Sequence, residues 1–166
     1  MSSRHRDFLP IALGTFALVI FYGLVNDQAI VAIAPGHFSL FQPHYFPVQQ
    51  PWAQALCFAA VVAGGAGLLW GILLYWVGHY GPGPVTSPRA SLLRGVVVLR
   101  LTAAAAWGLG WRAHHTGHVP YPQFFYPTES KDILITQTVQ LTNELVGLLG
   151  AFAWLFAIAI FRKIKA

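Results

Sequence analysis

Three ionisable side chains, Asp27, Arg100 and Glu144, stand inside long apolar stretches of this sequence. Charge in hydrocarbon is costly, so such residues mark pairing, binding, or an ion or proton path. At the rise of a helix, Arg100 lies roughly 12 Å into its stretch, and Glu144 roughly 18 Å from the same side in the next. That gap of roughly 6 Å is within the reach of an arginine. The leading expectation is an Arg100–Glu144 pair, helped by Asn143, that locks two helices together. The alternative is Glu144 as a carboxylate in a proton or ion path, although a single carboxylate makes a poor relay.

A second polar group is the run Asn26-Asp27-Gln28. Three consecutive polar residues cannot all face lipid. Either the helix unwinds there, or the trio turns inward and caps the bundle; inward is the expectation. Tyr22 and Gln140 would complete the cluster.

Histidine supplies the remaining candidates. His37, His44, His114, His115 and His118 fall in or beside two connecting segments. Nothing proline-like interrupts the chain after Trp111 until Pro120, so a helix running on would place His114 and His118 on one face at i, i+4. Two imidazoles at that spacing suit zinc or copper, with His37, His44, Glu129 or Asp132 as a third ligand. The bland reading is a solvated helix end, and no cofactor is expected. Haem needs facing histidines within the apolar stretches, which hold none. His79 has no opposite partner in the sequence. Ser39, Ser87, Ser91 and Ser130 show no nucleophile elbow, so serine catalysis is not expected.

The elements that must position these groups follow from composition. Of 166 residues, 56% are hydrophobic and 9% charged, with mean hydropathy +0.58. A soluble domain carries roughly a quarter charged residues, so water cannot be this chain's only solvent. Disorder is excluded by the same numbers. A single cysteine, Cys57, rules out an internal disulfide. A hydrocarbon core about 30 Å thick needs about 20 apolar helical residues. Four stretches meet that: about 8–33, 52–77, 92–111 and 136–161. The segments between are rich in proline. An all-α membrane protein is predicted, a single domain built as a four-transmembrane-helix bundle.

The net charge of +5 would suggest nucleic acid in a soluble protein. Here seven of the ten Lys and Arg lie in three clusters at span boundaries: Arg4 and Arg6; Arg89 and Arg94; and Arg162, Lys163 and Lys165. The positive-inside rule makes these an orientation signal, with both termini and the middle loop in the cytoplasm (N-in/C-in). No nucleic-acid motif is present. The N-terminus resembles a secretory signal in its charge and its Ala32-Ile33-Ala34, but the apolar stretch is too long and Pro35 would follow the cut. An uncleaved first helix is expected.

Lipid gives helices no hydrophobic drive to associate, so small residues must let them touch. Gly64, Gly67, Gly71 and Gly78 share one face of the second span. That face serves either the chain's own helices or a partner subunit or second copy. Substitution at Gly83, in a loop, is expected to be harmless.

The stretch Tyr22-Gly23-Leu24-Val25-Asn26-Asp27-Gln28, followed by Pro35-Gly36-His37-Phe38, resembles the opening of a family of small four-helix bacterial membrane proteins. Their first helix ends in Tyr-Gly-x-x-(Asn/His)-Asp-Gln and is followed by a Pro-x-x-Phe turn. The motif covers about residues 22 to 38, while the family's four spans match the whole chain. The resemblance implies the bacterial inner membrane and makes Asp27 and Gln28 part of a motif; it implies no activity. His37 stands where the family has an acidic residue, and the loop from His114 to Asp132 differs from the usual one.

The leading functional expectation is a non-enzymatic accessory or structural subunit in contact with lipid and partner helices. A metal or redox protein using the histidines is the first rival. A small proton- or ion-coupled transporter using Asp27 and Glu144 is the second, and it requires a polar cavity joining them.

Overall fold

Proline and serine set where the helices begin. In the computed structural model, which describes residues 6–41, 47–80 and 83–166, the chain folds into α1 (Phe8–Ile33), α2 (His37–Phe41), α3 (Pro51–His79), α4 (Pro88–Thr116) and α5 (Lys131–Ile164). One 3-10 turn, Gln123–Phe125, lies in the last loop. Pro51 and Pro88 occupy the first helical position, where a missing N–H costs nothing. Ser87 caps α4 by accepting a hydrogen bond from the Ala90 amide at 3.3 Å. Gly117, at φ +70°, closes the same helix in the left-handed conformation.

Four of these helices are long and apolar enough to cross a membrane. The first span begins and ends where expected, and the other three overrun their predicted limits. α5, with 34 residues, is about 51 Å long and outreaches a core about 30 Å thick. Its first turns are sheathed by protein instead. Ile135, Thr136, Thr138, Val139 and Thr142 are all buried there. Tyr121 and Tyr126 of the preceding loop bond Thr142 at 2.8 Å and Thr138 at 3.0 Å. Burial raises the Tyr126 hydroxyl above its usual pKa and keeps its proton.

The helices form two antiparallel hairpins, α1 with α3 and α4 with α5, each packed more closely within itself than against the other. Gly71 lies against the Ala12 backbone, and Gly67 against Phe16 and Val19. Gly64 faces the Phe16 ring and Ile20. All three glycines therefore meet α1 of the same chain, which occupies the face that a partner would need. In the other hairpin Gly110 meets Val139 and Ile135, and Gly147 faces Thr102.

Apolar cores close the two ends of the bundle. Ile30, Phe38, Phe58 and Ile135 belong to one, at the His37 end. Ile11, Leu74, Tyr75 and Ile158 form the other, at the end holding both chain termini. At that second end Arg162, 3% exposed, reaches from α5 into the α3–α4 connection. It donates to the carbonyls of Val77, Tyr80 and Pro84. The expectation for Gly83 is overturned here. Gly83 has φ +95°, and a Cβ on it would stand 2.1 Å from the Arg162 carbonyl oxygen. This loop is clamped to the last helix, so a side chain has nowhere to go.

Candidate functional site

Between the hairpins, in the middle of the bundle, is a cavity of about 320 Å³. It exists because each hairpin is packed more closely within itself than against the other. Towards the His37 end its wall is polar: Tyr22, Asn26 and Asp27 from α1, and Gln140, Asn143 and Glu144 from α5. The middle is apolar, with Leu18, Val62, Ala66, Trp70 and Leu99, and only Thr102 adds a hydroxyl. Towards the terminal end polar groups return as Thr15, Ser91 and Trp154.

Asp27 is 4% exposed and Asn26 6%. They are held inside an unbroken α1, with the Asn26 amide donating to Asp27 Oδ1 at 3.2 Å. Tyr22 donates to Asn143 Oδ1 at 2.6 Å, tying α1 to α5 across the cavity. Gln140 donates to Glu144 Oε1 at 3.0 Å, one helical turn away. Asp27 and Glu144 line the same end of the cavity, and among the described residues no Lys or Arg lines it. Gln28 departs from the trio: its amide donates to the Trp52 carbonyl at 3.0 Å, fastening α1 to the start of α3.

Several polar atoms of the wall have no partner among the described residues. Asn26 Oδ1, Gln140 Oε1 and Asn143 Nδ2 are buried and unbonded at the acidic end, as are Ser91 Oγ and Trp154 Nε1 at the other. Buried polar groups are rarely left unpaired in native proteins, and a water, an ion or another guest is what such atoms ordinarily meet.

The Arg100–Glu144 pair is not formed. Arg100 is exposed on the outward face of α4, while Glu144 turns towards the cavity. His79, not Arg100, lies against a carboxylate, that of Asp7 at 3.2 Å. Depth along the helix matched; the angle around it did not. Thr102 is the α4 residue that faces α5, through Gly147. Arg100, two positions back, is turned about 200° from Thr102 and so faces away.

The histidines are dispersed. α4 runs past Trp111 as expected, but Gly117 ends it at Thr116, so His118 lies beyond the helix and shares no face with His114. His115 stacks on Trp111 at 5.9 Å between centroids, and His114 packs edge-on against His115. His37 is fully buried beside Thr136, and His44 lies outside the described residues. No three His, Cys, Asp or Glu side chains converge as a metal site among the described residues. His79 does have a partner: its Nδ1 donates to the Tyr75 carbonyl, and its Nε2 lies 3.2 Å from Asp7 Oδ2. That contact between the start of α1 and the end of α3 was missed because Asp7 precedes the apolar pattern.

His37 has its own consequence. Thr136 Oγ already donates to the Asp132 carbonyl, so His37 Nδ1 must donate to Thr136, at 3.1 Å. Burial lowers the imidazole pKa from 6.5 to about 4. The folded chain thus keeps this ring neutral where the unfolded chain would protonate it. Its contribution is complete above pH 6.5 and drains as pH falls towards 4, by about 3 kcal/mol at most. Thermal unfolding in detergent should therefore shift down more steeply over that window in the native protein than in His37→Phe. Parallel curves would contradict the buried neutral ring.

Comparison with protein-family models, with curated proteins and with solved structures finds no match to this chain.

Proposed function

We propose that this protein is a small carrier or binding protein of a bacterial cytoplasmic membrane, with both termini inside, that takes up positive charge at Asp27 and Glu144. The observation that carries the reading is one cavity joining two carboxylates, with no cation in its wall among the described residues. Two carboxylates in a low-dielectric chamber repel each other when both are charged, so the site favours a proton or a cationic solute. The Lys and Arg distribution supports the orientation, and the motif at residues 22 to 38 supports the bacterial membrane.

The test needs no knowledge of the solute. Proteoliposomes on a solid-supported membrane should give a transient current on a pH step, because protons enter the chamber. The doubly neutral variant Asp27→Asn/Glu144→Gln should lose at least nine-tenths of that current while its melting temperature stays high. A native protein that displaces no charge would refute the reading.

A specific observation favours a second reading, the accessory subunit. The glycine face of α3 is taken by α1, but α4 leaves Arg100, Ala104 and Gly108 exposed along one side. Nothing lies within 4 Å of a Cβ placed on Gly108. A partner helix bringing a carboxylate to Arg100 could pack there closely. Stoichiometric recovery of one membrane protein with the native chain, lost with Gly108→Leu, would support it.

A further inference from the structure

The acidic end of the cavity is built to receive hydrogen-bond donors. Asp27 and Glu144 are acceptors, and Asn26 Oδ1 and Gln140 Oε1 are buried acceptors with no donor. Against these four stands one amide nitrogen with no partner, Asn143 Nδ2, beside the second N–H of the Asn26 and Gln140 amides; the Tyr22 hydroxyl proton is already given to Asn143 Oδ1. A group with several N–H bonds, positive charge and no acceptor of its own completes this set. An alkylammonium head is that group, with three donors and no lone pair.

Beyond the head site the wall becomes apolar for a long way. From Asn143 to Trp154 along α5 is about 16 Å, and the wall between includes Ala66, Trp70 and Leu148. The volume of about 320 Å³ accommodates one extended alkyl chain. A two-chain aminophospholipid would bring a phosphate into a chamber whose wall, among the described residues, holds two carboxylates and no cation. The chamber opens sideways rather than to water: Val62 of α3 and Glu144 and Leu148 of α5 line it yet remain exposed. A ligand dissolved in the bilayer reaches the head site along that seam.

We propose that the cavity binds a single-chain primary amine, with its ammonium between Asp27 and Glu144 and its chain running towards Trp154. This deepens the charge-uptake reading and rests on it. The probe is dodecylamine, with dodecanol and dodecyltrimethylammonium as isosteres lacking the charge or the N–H bonds. Native mass spectrometry of the intact protein should show a 1:1 dodecylamine adduct at least tenfold stronger than either isostere. Asp27→Asn/Glu144→Gln should abolish the preference. Ala66→Phe, which fills the apolar middle and leaves both carboxylates, should abolish the adduct but keep the charge displacement on a pH step.

Equal adducts with amine and alcohol would overturn the proposal, as would a preference that survives loss of both carboxylates. Retention of a two-chain aminophospholipid displaced by none of the probes would also overturn it. Charge displacement persisting without amine binding defeats this inference alone; absence of both defeats the charge-uptake reading as well.

Discussion

Arg162→Met lowers the melting temperature in detergent by about 10 °C, while Lys163→Ala, one residue away and exposed, leaves it unchanged. The difference follows from what each side chain touches. Helix α3 ends with carbonyls that have no partner in their own helix. The Arg162 guanidinium takes those of Val77 and Tyr80, and reaches Pro84 in the connection beyond. Hydrogen bonds to a charged donor are worth roughly 1.5–3 kcal/mol each, and stranding buried acceptors costs further. A net loss of about 3–4 kcal/mol gives that shift for a chain of this size. Methionine keeps the stem's packing, so the loss reports the guanidinium. Lysine in its place restores only part, because a point charge cannot serve three separated carbonyls. Gly83→Ala attacks the same clamp from the loop side and is expected to be comparably damaging. Unchanged melting of all these variants would mean that the last turn of α5 does not hold the α3–α4 connection.

The spans were legible because each is a long apolar run, and a hydrocarbon slab imposes a length. Their true ends were less so. Ser87-Pro88 is a helix start visible in the sequence, yet it lies outside the apolar window that defined the third span. Gly117 is a helix stop equally visible, and waiting for Pro120 as the terminator carried the expected helix two residues past its true end, to His118. Asp27 and Glu144 stood out as costly residues in lipid, and both line the same cavity. What it assigned wrongly was the partner of Glu144, because depth along a helix says nothing about direction around it. The chamber itself has no sequence signature. It is the space left where two glycine-zipped hairpins pack less closely against each other than within themselves, and its size depends on Ala63, Ala66 and Ala151, small residues that read equally well as tight packing. Arg162 looked like one more cytoplasmic charge because the carbonyls it binds lie some 80 positions back in the chain.

The glycines of α3 give a graded result rather than a single one. Alanine substitutions should destabilise in the order Gly71, Gly67, Gly64, with Gly65 neutral. At Gly71 the new methyl meets the Ala12 Cα and carbonyl oxygen at 2.7 Å. Those are backbone atoms of a helix, so α1 and α3 must move apart as units. At Gly67 the nearest atoms are the Phe16 Cα and Val19 Cβ at 3.0 Å, a smaller overlap. At Gly64 they are the Phe16 ring at 3.3 Å and the Ile20 methyl at 3.5 Å, side chains that can turn aside. Gly65 faces open space with nothing within 4 Å. Overpacking of this kind costs roughly 1–3 kcal/mol for one or two added carbons, and Gly71→Leu should exceed that range. The bilayer supplies no hydrophobic penalty for parting the helices, so lost contact is the whole of the effect. Gly71→Leu should also reach the chamber. Ala63 and Ala66 line it from the same helix, so pushing α3 off α1 changes the wall that faces Asp27. Melting curves for the four alanine variants, read beside the pH-step current of Gly71→Leu, test both statements. Equal melting at all four positions would mean that α1 and α3 are not held together through this face.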